Sequence, residues 1–95
     1  MSDGDLVRVL KALADPIRFR MVQEIAAAGE LSCAQIGEHF EVTQPTISHH
    51  LKILTEAEIL VRRTEGKQHF TSINERLLKQ IVHLIPVRLG SRAKR

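Results

Sequence analysis

Two β-prone runs, residues 59–64 and 68–73, flank Glu65-Gly66-Lys67 in a chain whose other segments all carry helical spacing. The glycine between them supplies a φ > 0 position for a tight turn, so the two runs read as a hairpin. Its alternation is imperfect, because Phe70 and Ile73 cannot both face inward on a regular strand. Everything before and after it reads as helix. The fold class expected is therefore mainly α with one small β-hairpin, about five helices plus two strands.

Leu6, Val9, Leu10 and Leu13 fall on one face of a first helix, opened by Asp3 or Asp5. Asp15-Pro16 reads as an N-cap followed by proline at the first helical position, where its missing N–H costs nothing. That second helix carries Ile17, Met21, Val22 and Ile25 and stops at Gly29, a residue suited to the position after a helix. Ser32 and Gln35 form a capping box for a short third helix bearing Ile36 and Phe40. After a turn at Glu41-Val42, Thr43 caps a fourth helix from Gln44 to about Ala57, with Ile47, Leu51 and Leu54 as its apolar stripe. A fifth, from about Asn74 to Ile85, carries Leu77, Leu78, Ile81, Val82, Leu84 and Ile85 until Pro86 and Gly90 break it. A basic tail with Arg92, Lys94 and Arg95 follows. Residues 1–95 are expected to form one domain, with flexible ends at 1–4 and 87–95.

At 95 residues, with three Phe and no Trp or Tyr, the core must come from Leu, Ile, Val and Ala, which suits helices. The single cysteine, Cys33, excludes an internal disulfide and an all-cysteine metal cluster. The acidic start Met1-Ser2-Asp3-Gly4-Asp5 is no signal peptide, and no apolar run approaches the roughly 18 residues that cross a bilayer. A cytoplasmic protein with no membrane partner is expected. Residues 1–41 hold four Lys or Arg against seven carboxylates, whereas residues 42–95 hold ten against four. The second half is the face for a polyanion. The sequence shows no Ser/His/Asp set, no phosphate-cradling glycine loop and no carboxylate pair in a catalytic frame, so neither an enzyme nor a cofactor is expected.

Two short helices joined by a few residues make a helix-turn-helix, and a hairpin directly after it makes the winged arrangement. Leu10-Lys11-Ala12-Leu13-Ala14-Asp15-Pro16-Ile17-Arg18, then Val42-Thr43-Gln44-Pro45-Thr46-Ile47-Ser48-His49-His50-Leu51-Lys52-Ile53-Leu54, then Arg63-Thr64-Glu65-Gly66-Lys67 resemble the ArsR/SmtB family of bacterial repressors. The likeness covers roughly residues 6–78. It implies a homodimeric, DNA-binding winged helix that blocks transcription at a palindromic operator until a signal releases it. One departure is Glu58, where the family usually places glycine. A left-handed Glu58 costs about 1 kcal/mol or more relative to glycine, unless the helix ends one residue differently.

On the fourth helix, at about 100° per residue, Ile47, His50, Leu51 and Leu54 form the buried side. The opposite side and the free first turn present Gln44, Pro45, Thr46, Ser48 and His49 as candidates for base contact. Gln pairs bidentately with adenine, and proline can touch a thymine methyl. Candidate backbone contacts are Thr43 and Lys52 beside that helix, with Arg62, Arg63, Lys67 and Gln68 on the wing. His50 lies on the core side and is expected to be hydrogen-bonded there. Arg18 is common in the family, with packing or phosphate contact as its alternatives, and Arg20 shares that ambiguity.

The first and last helices are apolar over more than one face, so Leu6, Val9, Leu10, Leu13, Leu78, Ile81, Val82 and Ile85 are expected to pair two copies of the chain. The resemblance would place a soft-metal Cys-x-Cys pair at Ser32 and Ala34, and its other ligand set at Glu75, Leu77, Arg88 and Ser91. Neither set is present, His39, His69 and His83 being the scattered remainder, so no metal site is expected. Two rival functions stay open: a winged-helix protein-interaction subunit without DNA binding of its own, and a thiol-based redox sensor acting through Cys33.

Overall fold

Helix starts in this chain fall where a short polar side chain can take up free backbone N–H groups. In the computed structural model, which describes residues 1–90, α1 (Asp3–Leu13) opens at Ser2, whose Oγ accepts from Asp5 N at 3.0 Å. Asp5 answers from the third helical position, accepting from Ser2 N. An aspartate was expected to open this helix; the serine ahead of it does so, with Asp5 completing the box. Asp15 Oδ2 accepts from both Ile17 N and Arg18 N at 3.0 Å, and α2 (Pro16–Ala28) stops at Gly29 with φ 85. Ser32 and Gln35 exchange the bonds of the expected box at α3 (Cys33–His39). Asn74 caps α5 (Glu75–Arg88), its Oδ1 accepting from Leu77 N.

The hairpin consists of β2 (Leu60–Glu65) and β3 (Gln68–Ile73), joined by Gly66 and Lys67 with φ 62 at the glycine alone, a type II′ arrangement. A third strand, β1 (Glu30–Ser32), pairs antiparallel with β3 and was not anticipated. It joins the helical body to the wing in one sheet of order β1-β3-β2. The conflict on β3 resolves in favour of Thr71, which is buried and donates its hydroxyl to Leu31 O at 3.2 Å. Phe70 therefore points to the opposite face, while Ile73 packs against the core.

Met21, Ile25, Ile36, Leu54 and Ile59 form the fully buried centre of the core. α4 (Gln44–Glu56) enters it through Ile47, Leu51 and Leu54. Its C-terminus is a Schellman motif: Ile59 N bonds Leu54 O, and Glu58 N bonds Thr55 O. Glu58 sits at φ 65, the left-handed position that motif requires. Glu58→Gly should therefore raise unfolding stability by about 1 kcal/mol, read by urea titration; a decrease would mean the Glu58 side chain holds the junction together.

Two further expectations need correction. Pro86 does not end the last helix, which continues through Val87 to Arg88. Proline removes a bond to the carbonyl of Val82, and Val82 is exposed, so water can replace that bond near a helix end. The ends are also tied: Arg88 Nη1 donates to Asp3 Oδ1 at 2.6 Å and Nη2 to Met1 O. Residues 1–4 and 87–90, expected as loose, thus belong partly to α1 and α5. Arg92, Lys94 and Arg95 lie outside the described residues.

Leu6, Val9 and Ile81, expected between subunits, are buried in the chain's own core. On α5 the core side is Leu77 and Ile81, and the rotation of the helix brings Leu78, Val82, Ile85 and Leu89 onto a neighbouring side. Leu10 and Val82 are exposed, and Leu13, Leu78 and Ile85 are half-buried.

Candidate DNA-binding surface

α4 turns one face to the core and leaves Gln44, Pro45, Ser48, His49 and Lys52 exposed on the other. Thr46 is half-buried, its Oγ1 3.0 Å from Thr43 Oγ1. Thr43 occupies the N-cap position without making the expected side-chain bond to the helix backbone. Its hydroxyl is engaged with Thr46 instead, so the first turn of α4 keeps backbone donors available to an outside partner. Beneath that turn lies Gly37 of α3, where a side-chain carbon would stand 2.8 Å from Gln44 Nε2. The Gln44 side chain lies over Gly37, and a Cβ there would displace its amide end, a neighbour the sequence reading missed.

The inner side of α4 is fixed by polar contacts as well as by packing. Arg18 Nε donates to Ala12 O at 2.7 Å, and its Nη1 lies 3.2 Å from His50 Nδ1. One guanidinium on α2 thereby joins the end of α1 to the middle of α4. This gives Arg18 the packing role and His50 the hydrogen-bonded role expected of it. Arg20 is exposed but also has partners within the chain, donating to His39 O at 2.6 Å and stacking over Phe40. The N–H of Arg18 holds the Asp15 carboxyl below the usual carboxylate range.

Burial pushes His50 below its ordinary pKa, with Arg18 and His49 adding to the effect and Asp15 opposing it. The unfolded chain then binds a proton that the folded chain does not. Stability should accordingly fall as pH drops below about 6.5 through the folded value. His50→Gln should flatten that acid-side loss in denaturation curves between pH 7 and 5; an unchanged slope would place its origin in other groups.

On the wing, Arg62, Lys67 and Gln68 are exposed, and among the described residues neither Arg62 nor Lys67 is in an ion pair. Arg63 differs. Its Nε and Nη2 reach Glu30 Oε2 and Oε1 at 3.1 and 2.8 Å, and its Nη1 reaches Glu65. Glu30, on the unforeseen strand, is the second residue the sequence reading missed. His69 Nδ1 lies 3.2 Å from Thr64 Oγ1, His39 Nδ1 lies 2.7 Å from Glu24 Oε1, and His83 is exposed on α5. The three histidines stand on different elements, and the described residues hold no group of three metal-ligating side chains. Cys33 is half-buried at the first position of α3.

A family profile described as a helix-turn-helix domain matches residues 13–63, more than half of the chain. The arsenical resistance operon repressor of Staphylococcus xylosus is 37% identical over 81 residues, covering 85% of this chain and 77% of that protein. The chain belongs to the ArsR family of winged helix-turn-helix transcriptional repressors. Among solved structures, the transcriptional repressor PagR of Bacillus anthracis is 29% identical with a TM-score of 0.72, covering 86% of this chain and 93% of that one. An ArsR-like transcriptional regulator from Rhodococcus sp. RHA1 shares the fold at 21% identity and a TM-score of 0.81, covering 92% and 80%. In this ArsR-family repressor, α3 and α4 are the helix-turn-helix, and β2 and β3 are the wing. No helix among the described residues is long and apolar enough to cross a membrane.

Proposed function

We propose that this ArsR-family repressor acts as a homodimer in the cytoplasm. In this reading it places two copies of α4 in the major groove of a palindromic operator and blocks transcription there. The observation that carries it is the two-sided character of α4. Its inner face is locked by Ile47, Leu51, Leu54 and the Arg18–His50 contact, while Gln44, Pro45, Ser48, His49 and Lys52 are left to a partner. A helix so fixed presents its N-terminal side chains to base edges, with Thr46 beside them. Thr43, Lys52, Arg62, Lys67 and Gln68 are placed to hold phosphates on either side, supplying affinity without sequence reading. Two-fold symmetry would set the half-sites about 34 Å apart or a small multiple of that.

The side chains at the soft-metal positions are Ser32 and Ala34, neither of which supplies a thiolate to a soft metal effector. Selection of bound sequences from a random DNA pool supplies the operator. On that site, Gln44→Ala and Ser48→Ala should each lose about 1–3 kcal/mol of discrimination against random DNA. Equal losses on selected and random DNA would show that these side chains only position the backbone.

A further inference from the structure

Arg63 belongs, by its spacing on a basic hairpin, with the phosphate-holding cations, yet its surroundings are those of an internal strap. The register pairs Arg63 with Phe70 across β2 and β3, and pairs Phe70 with Ser32 and Ser72 with Glu30 across β3 and β1. Successive side chains alternate between faces, so Glu30, Phe70, Arg63 and Glu65 all lie on the outer face of the sheet. Leu31 and Thr71 lie on the inner one. Arg63 starts on one edge strand, lays its guanidinium over the Phe70 ring at 4.6 Å from its centre, and meets Glu30 on the other edge. Two parallel N–H···O bonds to one carboxylate fix both groups in direction as well as distance. Glu65 takes the remaining nitrogen. The cluster contains one cation and two carboxylates, so it presents no positive charge to a phosphate.

We infer that Arg63 is a positioning residue for DNA binding, strapping the wing to β1 through Glu30 instead of touching the phosphate backbone. β1 is tied to the helix-turn-helix, because Ser32 at its end is also the cap of α3. The strap therefore sets the angle between the wing and the helices that precede it. Arg62 and Lys67 remain the cations that reach the phosphates, and the inference rests on that reading of the wing.

The test measures affinity for the selected operator over a range of salt concentrations, using the 95-residue chain, whose folded and active fractions are checked by circular dichroism and stoichiometric titration. Glu30→Gln keeps the size of the side chain and leaves the Arg63 cation in place. If Arg63 is a strap, Glu30→Gln and Arg63→Gln should each weaken binding by about two- to fivefold, the range of an exposed ion pair. The double variant should be no worse than either single one, and the salt dependence should keep its wild-type slope. If Arg63 instead holds a phosphate, Glu30→Gln frees it and binding stays equal or tightens, while Arg63→Gln lowers the slope by about 0.9; either result overturns the inference. Arg62→Gln and Lys67→Gln are run beside them. Wild-type slopes in both would reject the wing as a phosphate contact, a failure distinct from that of the strap.

Discussion

A Val82→Glu protein should stay folded, sediment as a monomer at micromolar concentration, and lose about 100-fold or more in affinity for a palindromic operator. The expectation follows from where α5 points its apolar residues. Leu77 and Ile81 face the core, but Val82 is 72% exposed, and Leu78, Ile85 and Leu89 share its side of the helix. On α1, Val7 and Leu10 are exposed beside the buried Leu6 and Val9. Exposed apolar side chains of this number on a small domain are the kind of surface that an interaction covers. In the proposed homodimer, two copies related by a two-fold axis would bury these residues and link two copies of α4, so that the second binding event would become intramolecular. A glutamate at position 82 meets water in the monomer and would meet a desolvated apolar surface in the proposed dimer. Ile81→Glu is the contrasting variant: at 4% exposure it should unfold the chain. A Val82→Glu protein that remains dimeric and binds as the wild type does would remove this face from the interface.

The same helix shows why the sequence led part of the way. Apolar residues at positions 77, 78, 81, 82, 84 and 85 reveal that α5 has more than one apolar side, but not which side the chain covers by itself. Ile81 was assigned outward and lies inward, because the direction depends on where β3 delivers the chain to Asn74. Signals confined to a few neighbouring residues were legible: Asp15-Pro16, Ser32 with Gln35, and the stripe Ile47, Leu51, Leu54 all stand where their chemistry puts them. Glu58 was legible only as a choice, left-handed or a helix ending one residue differently, and its φ of 65 takes the first. β1 was not, because three residues carry no period, and what makes them a strand is pairing with Phe70, Thr71 and Ser72, far along the chain. The Arg63–Glu30 pair was hidden for the same reason. Glu30 is distant in the chain, and a basic hairpin looks alike whether its arginines face phosphate or carboxylate.

Leu54→Ala should remove about 2–5 kcal/mol of stability, the usual range for deleting a buried leucine side chain. Leu54 is fully buried, and its carbonyl receives the Ile59 N–H that closes the Schellman motif at the end of α4. The side chain of Ile59, also fully buried, accompanies Leu54 in the same core, so a cavity at Leu54 loosens the recognition helix where it hands over to the wing. Against a total of about 5–15 kcal/mol for a domain of ordinary stability, such a loss is a large fraction. At about 4–8 °C per kcal/mol for a chain of this size, the midpoint of thermal unfolding should drop by about 10 °C or more. Lys52→Ala, on the exposed face of the same helix, should change stability by less than about 0.5 kcal/mol. The two variants separate folding from contact. Leu54→Ala should bind DNA with near wild-type affinity per folded molecule at low temperature and lose apparent affinity steeply as the solution warms. Lys52→Ala should bind less tightly at every temperature, with a shallower salt dependence by about 0.9. A Leu54→Ala protein less than about 1 kcal/mol below wild type would mean that α4 does not rest on the core through this residue.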